Sequence, residues 1–123
     1  MYRAVFEFRL TRRVDWSGDL AAFHEHVDSV SALIAAGDGV DDVRVITDMA
    51  ASRLTLDFLV DAANPDKAEG TAVYTVSRAI RESGARYLGL AALAADPTPR
   101  RSPLSDLHTP IWQRQRVHIA GAA

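Results

Sequence analysis

The sequence predicts an α+β domain with elements in the order βαββαβ, followed by a tail of different character. Three observations predict it: strict apolar alternation near the N-terminus, a change to helical spacing after Leu20, and a second strand-to-helix passage marked by Asn64-Pro65. In residues 2–10, Tyr2, Ala4, Phe6, Phe8 and Leu10 fall on one side and Arg3, Val5, Glu7 and Arg9 on the other, the period of a half-buried strand. Leu20, Phe23, Val27, Val30 and Ile34 then recur at steps of three and four, so they share one helical face. Asp15 or Ser17 can cap that helix, Asp19 suits its positive end, and Gly37 and Gly39 end it.

Val43, Val45 and Thr47 alternate with Arg44, Ile46 and Asp48, and Leu54, Leu56, Phe58 and Val60 alternate with Arg53, Thr55, Asp57 and Leu59. The short link at residues 49–52 makes these two runs a hairpin. Asn64 as cap and Pro65 in the first turn open a second helix, where the missing proline amide costs nothing. Ala68, Ala72, Val73, Val76, Ala79 and Ile80 form its apolar stripe, Gly70 weakens it by about 1 kcal/mol relative to alanine, and Gly84 closes it. Residues 86–93 read as the last strand.

Two βαβ-like halves around a central hairpin resemble the ferredoxin-like plait. That resemblance implies an antiparallel sheet of order 4-1-3-2 with both helices on one face. Residues 1–95 form this expected domain and residues 96–123 a C-terminal extension. Three of the five prolines fall within residues 96–103, the mark of a stiff, extended linker. Beyond it Leu104, Leu107, Ile111, Trp112, Val117 and Ile119 are too apolar for a solvated tail, and residues 113–119 can pair as a short strand. The tail is therefore expected to dock, on its own body or on a partner.

A chain of 123 residues can bury one core, and 48% hydrophobic with 24% charged residues describes an ordinary soluble domain. The absence of cysteine excludes disulfides, thiolate nucleophiles, iron–sulfur clusters and cysteine zinc sites, and fits the reducing cytoplasm. Residues 1–95 carry 10 basic and 14 acidic side chains and residues 96–123 carry 4 and 2, so neither part has the dense basic field that tracks a phosphate backbone. The outward faces of the central strands also lack the aromatic residues of an RNA-stacking sheet. No nucleic acid is expected. No apolar run approaches the about 20 residues that cross a bilayer, and no leader pattern opens the chain, so no membrane is expected either.

The outward side chains of the first and third strands place Glu7 and Arg9 beside Arg53 and Asp57. Opposite charges there form a solvated or dimer-contacting network, or the floor of a polar pocket in which Glu7 or Asp57 acts as a base. His24 and His26 cannot share an ion, because two helical steps turn about 200°. His24 and Asp28 share a face without an identifiable third ligand, so no metal is expected. No serine sits in a nucleophile elbow and no glycine pattern forms a phosphate loop. No catalytic residue and no cofactor are assigned.

The turn Asp15-Trp16-Ser17-Gly18-Asp19-Leu20 runs into the first helix, whose free amides can face an anionic group. It resembles the Asp-x-Pro-Gly-x-Leu turn of ACT domains at Asp15, Gly18 and Leu20, with Ser17 where that family has proline. The resemblance implies a small anionic ligand, an amino acid or similar metabolite, held by Asp15, Trp16, Ser17 and Gly18 near a dimer interface. In the tail, Trp112 with Ile111 and Arg114 is the expected anchor of a contact. These residues support three readings. The first is a non-enzymatic, dimeric or higher homo-oligomeric module for assembly or small-ligand sensing. The second is a small cofactor-independent enzyme of the dimeric α+β barrel type, an oxygenase, isomerase or cyclase using His24, Glu7 or Asp57. The third is an adaptor that a protein partner recruits through the Trp112 tail.

Overall fold

The computed structural model describes residues 1–11, 20–48, 53–89 and 110–121. Its elements are β1 (Tyr2–Thr11), α1 (Leu20–Ala35), β2 (Val40–Asp48), β3 (Arg53–Val60), α2 (Pro65–Glu82), β4 (Arg86–Leu88) and β5 (Ile111–Gly121). Together they form an α+β fold in which two helices cover one face of a mixed five-stranded sheet of order β2-β3-β1-β5-β4. No described helix is long and apolar enough to cross a membrane.

The alternation in β1 and β3 becomes the core directly. Ala4, Phe6, Phe8 and Leu10 are buried on the helix side, and the β1–β3 register sets Phe6 against Leu56, Phe8 against Leu54 and Ala4 against Phe58. The Phe6 ring stacks at 6.0 Å on both Phe8 and Phe58. Above them α1 buries Phe23, Val27, Val30 and Ile34, and α2 buries Ala68, Ala72, Val76, Ala79 and Ile80. The small residues of the α2 stripe let that helix lie close to the aromatic layer.

The helix ends follow the sequence signals. The Asn64 side chain accepts a hydrogen bond from the Lys67 amide at 2.9 Å, with Pro65 at the first helical position, Asp66 in the first turn and Arg81 in the last. At the other end Gly84 takes φ +90°, so its amide reaches the Arg81 carbonyl and the Ala85 amide the Ile80 carbonyl, each at 3.1 Å. After α1 the chain passes so close to α2 that a Cβ on Gly37 would lie 3.2 Å from the Thr75 methyl. The expected caps of α1, Asp15 and Ser17, lie outside the described residues.

The expected strand order 4-1-3-2 is corrected. β5 occupies the position beside β1 that was expected of the fourth strand, and β4 is displaced to the sheet edge. β5 runs antiparallel to β1 and parallel to β4, and the Arg86 amide donates to the Pro110 carbonyl at 2.9 Å. The physical reason lies in length and side chains. β5 offers eleven residues to the long edge of β1, including Trp112, Val117 and Ile119 on the core side, whereas β4 offers three. The expected fourth strand spanned residues 86–93; the described strand is Arg86–Leu88, and residues 90 onward to 109 lie outside the description.

Candidate functional site

Two places in this fold gather the side chains that the sequence singles out: the sheet face opposite the helices, and the junction of β5 with α1. On the outer face β1 presents Arg3, Val5, Glu7 and Arg9, and β3 presents Arg53, Thr55, Asp57 and Leu59 beside them. The structure thus brings Glu7, Arg9, Arg53 and Asp57 onto one surface. Among the described residues neither helix packs on it, since both helices bury their stripes against the opposite face.

A chain of alternating charges crosses three strands at one end of this face. An Arg3 nitrogen donates to an Asp57 oxygen on β3, while the other lies 3.5 Å from Asp42 on β2, whose carboxylate also receives an Arg44 nitrogen at 3.0 Å. The register shifts between Asp41 and Arg44, and Asp42 sits at φ +53° in this bulge, with the Asp41 carboxylate accepting from its amide at 2.8 Å. Aspartate is among the few residues that tolerate this left-handed backbone, and the bulge aims its carboxylate at both arginines. The hydrogen bond from Arg44, with the nearby charges of Arg44 and Arg3, holds the Asp42 carboxyl below the ordinary carboxylate range against a smaller opposing desolvation. The bond to Asp57 likewise holds the Arg3 guanidinium above its usual value.

A carboxyl depressed in the folded state binds its proton more readily when the chain is unfolded. Its contribution to stability is therefore present above the unfolded value and is lost as pH falls through the folded one. Carbon-detected NMR titration of the Asp42 carboxyl should give a midpoint below that of an exposed aspartate, and Arg44→Ala should move it upward. An unmoved midpoint would show that Arg44 does not hold Asp42 in solution.

Toward the other end, Glu7 lies 3.7 Å from Arg116 of β5. Arg9 and Arg53 stand directly opposite each other, with Asp48 opposite Arg53 on the far side. Like charges so placed repel, which leaves this end basic. Asp41, Asp42 and Asp57 outnumber Arg3 and Arg44 at the first end, while Arg9, Arg53 and Arg116 outnumber Glu7 and Asp48 at the second. Half-buried Val5 lies level with Asp57 and Arg44, and Ile46, 63% exposed, lies between the two ends opposite Thr55.

The nominated bases are not assembled. Glu7 and Asp57 share the outer face, each with an arginine partner, whereas His24 is exposed in the helix layer with its ring against Phe23. No cluster of three metal-ligating side chains is present among the described residues. The proposed ligand turn, Asp15, Trp16, Ser17 and Gly18, lies outside the described residues.

At the second place, Trp112 is fully buried and pairs with Leu10. Its ring meets Phe8 edge-on at 5.3 Å, and its indole nitrogen donates to His26 Nε2 at 2.9 Å. Arg114, two residues on and also on the core side, donates to the Tyr87 hydroxyl at 3.0 Å, while its Nε is buried without an acceptor. Ile111 is half-buried opposite Thr11. Sequence reasoning weighed His26 only as a metal ligand and missed its bond to Trp112, because the partner is 86 positions away and no local pattern joins them. It also missed the Arg3–Asp57 pair, a diagonal contact that only the register reveals. No family model matches the chain, and no curated protein matches it.

Proposed function

We propose that this chain is a homodimeric assembly module in which two copies pack their outer sheet faces together. The single observation that carries this reading is the polarity of that face: an acidic end, a basic end, and exposed Ile46 between them. From Arg3 to Arg9 is six strand residues, about 20 Å. A two-fold axis lying between the two faces and running across the strands at mid-length sets the basic end of one copy over the acidic end of the other, so the surface is complementary to itself. Exposed Ile46, on the edge strand β2, then gains burial in the contact.

Sedimentation equilibrium over a wide concentration range tests the reading. The wild-type chain should be a dimer at micromolar concentration, and Ile46→Asp should raise the dissociation constant at least about tenfold, the effect of about 1.4 kcal/mol, without changing the circular dichroism spectrum. A monomer throughout, or a dimer indifferent to Ile46→Asp, would remove the outer face as the interface.

A further inference from the structure

We propose that the outer edge of β2 pairs with the β2 edge of a second copy, antiparallel and centred on Ile46, so that two five-stranded sheets become one. The contact runs along the strand edge and leaves the outer face open. It therefore goes beyond the face-packed dimer and can join such dimers to one another.

β2 ends the sheet, with β3 on one side and, among the described residues, no strand on the other. Such an edge carries a row of backbone donors and acceptors that a further strand can take up. The first part of β2 is unsuited to this, because the register shifts between Asp41 and Arg44 and Asp42 sits at φ +53°. From Arg44 to Asp48 the pairing with β3 is unbroken. Arg44, Ile46 and Asp48 are exposed on the outer side, while Val45 and Thr47, opposite Leu56 and Leu54, lie half-buried on the core side.

The order of these five side chains selects the occupant. A two-fold axis perpendicular to the sheet keeps core side beside core side, and it must pass through a residue, because facing residues share a side. Centred on Arg44, it sets that arginine against itself, and centred on Val45, it sets Asp42 against Asp48. Like charges so placed repel. Centred on Thr47, it sets Ile46 against Asp48. Centred on Ile46, it sets Arg44 of each copy against Asp48 of the other, with the two Ile46 side chains together between these pairs and Val45 facing Thr47 on the core side. The segment Arg44-Val45-Ile46-Thr47-Asp48 is thus its own complement, and a second copy supplies the matching strand.

Val45 and Thr47 give the test, because packing of outer faces cannot bring core-side residues together, and the sequence has no cysteine to interfere. Facing Cα atoms of antiparallel strands are about 4.5–5.5 Å apart, within the range a disulfide spans. The full chain carrying Val45→Cys with Thr47→Cys is oxidised at submillimolar concentration and run on a denaturing, non-reducing gel. Edge pairing predicts covalent dimers that reduction returns to monomers. Either single variant should stay mostly monomeric, since like positions then sit diagonally, about 7–8 Å apart. No covalent dimer from the folded double variant, or equal linking by the single ones, overturns the proposal.

Charge reversal repeats the test should the cysteines disturb folding. Arg44→Asp sets aspartate against Asp48 at both ends of the contact and should weaken edge association at least about tenfold, and adding Asp48→Arg should restore it. Edge association that ignores Arg44→Asp overturns the proposal. On a face-packed dimer the same substitution acts in reverse, because it adds negative charge to the acidic end that meets the basic one. A dimer that Arg44→Asp tightens and that forms no link between positions 45 and 47 removes the edge contact and leaves the face. A dimer that Arg44→Asp dissolves removes the face-packed dimer and leaves the edge.

Discussion

Replacing Trp112 with alanine is expected to lower the free energy of unfolding by about 3–5 kcal/mol, the range for truncating a large aromatic in a core. That is a large share of the about 5–15 kcal/mol that holds a domain of this kind together. The side chain has no exposed surface, lies edge-on to Phe8 and His26, and faces Leu10 across the β1–β5 ladder. The expected loss has two parts: the cavity, and the acceptor on His26 left without its donor. Trp112→Phe keeps most of the ring and loses the N–H, so it should fall between the wild type and Trp112→Ala. Urea unfolding followed by far-ultraviolet circular dichroism reads both. A change below about 1 kcal/mol for Trp112→Ala, the size typical of surface substitutions, would mean that the indole is not in the core in solution.

Ending the chain at residue 109 should do more. Without β5, the long edge of β1 loses its partner, the Arg86 amide loses the Pro110 carbonyl, and β4 loses the strand it pairs with. The expected product has no cooperative thermal transition and a poorly dispersed proton–nitrogen NMR spectrum. A truncated chain that unfolds as cooperatively as the full one would mean that the fourth strand moves in beside β1, restoring the 4-1-3-2 order. The same experiment bears on the adaptor reading, because a strand in the interior of the sheet is not a free arm. Trp112, the expected anchor for a partner, is turned into the core to which β5 pairs.

Much of this fold was legible because its signals are local. Asn64 and Pro65 begin α2 by chemistry confined to four residues. The steps from Phe23 to Ile34 name the buried face of α1, and the alternation from Ala4 to Leu10 names that of β1. The position of β5 was not legible, since alternation shows that a segment can pair but not with which edge. The choice between β4 and β5 for the edge of β1 is a competition between segments more than twenty residues apart, decided by length and by one tryptophan. The outer face was legible in part: the outward sides of Glu7, Arg9, Arg53 and Asp57 follow from alternation, whereas Asp42 reaches Arg3 only through a bulge that no composition signals.

The strand order has a consequence for how the chain is made. β1 leaves the ribosome before both of its neighbours, and one of its edges is closed by β3 while the other waits for β5. Between the synthesis of Val60 and Gly121 lie sixty-one residues, roughly 3–12 s of elongation at about 5–20 residues per second. For that interval Phe6 and Phe8 stand beside an unpaired strand edge, the kind of surface on which nascent chains associate. The sheet is therefore complete only once β5 has appeared, and chains emerging side by side on one message meet while that slot is still vacant.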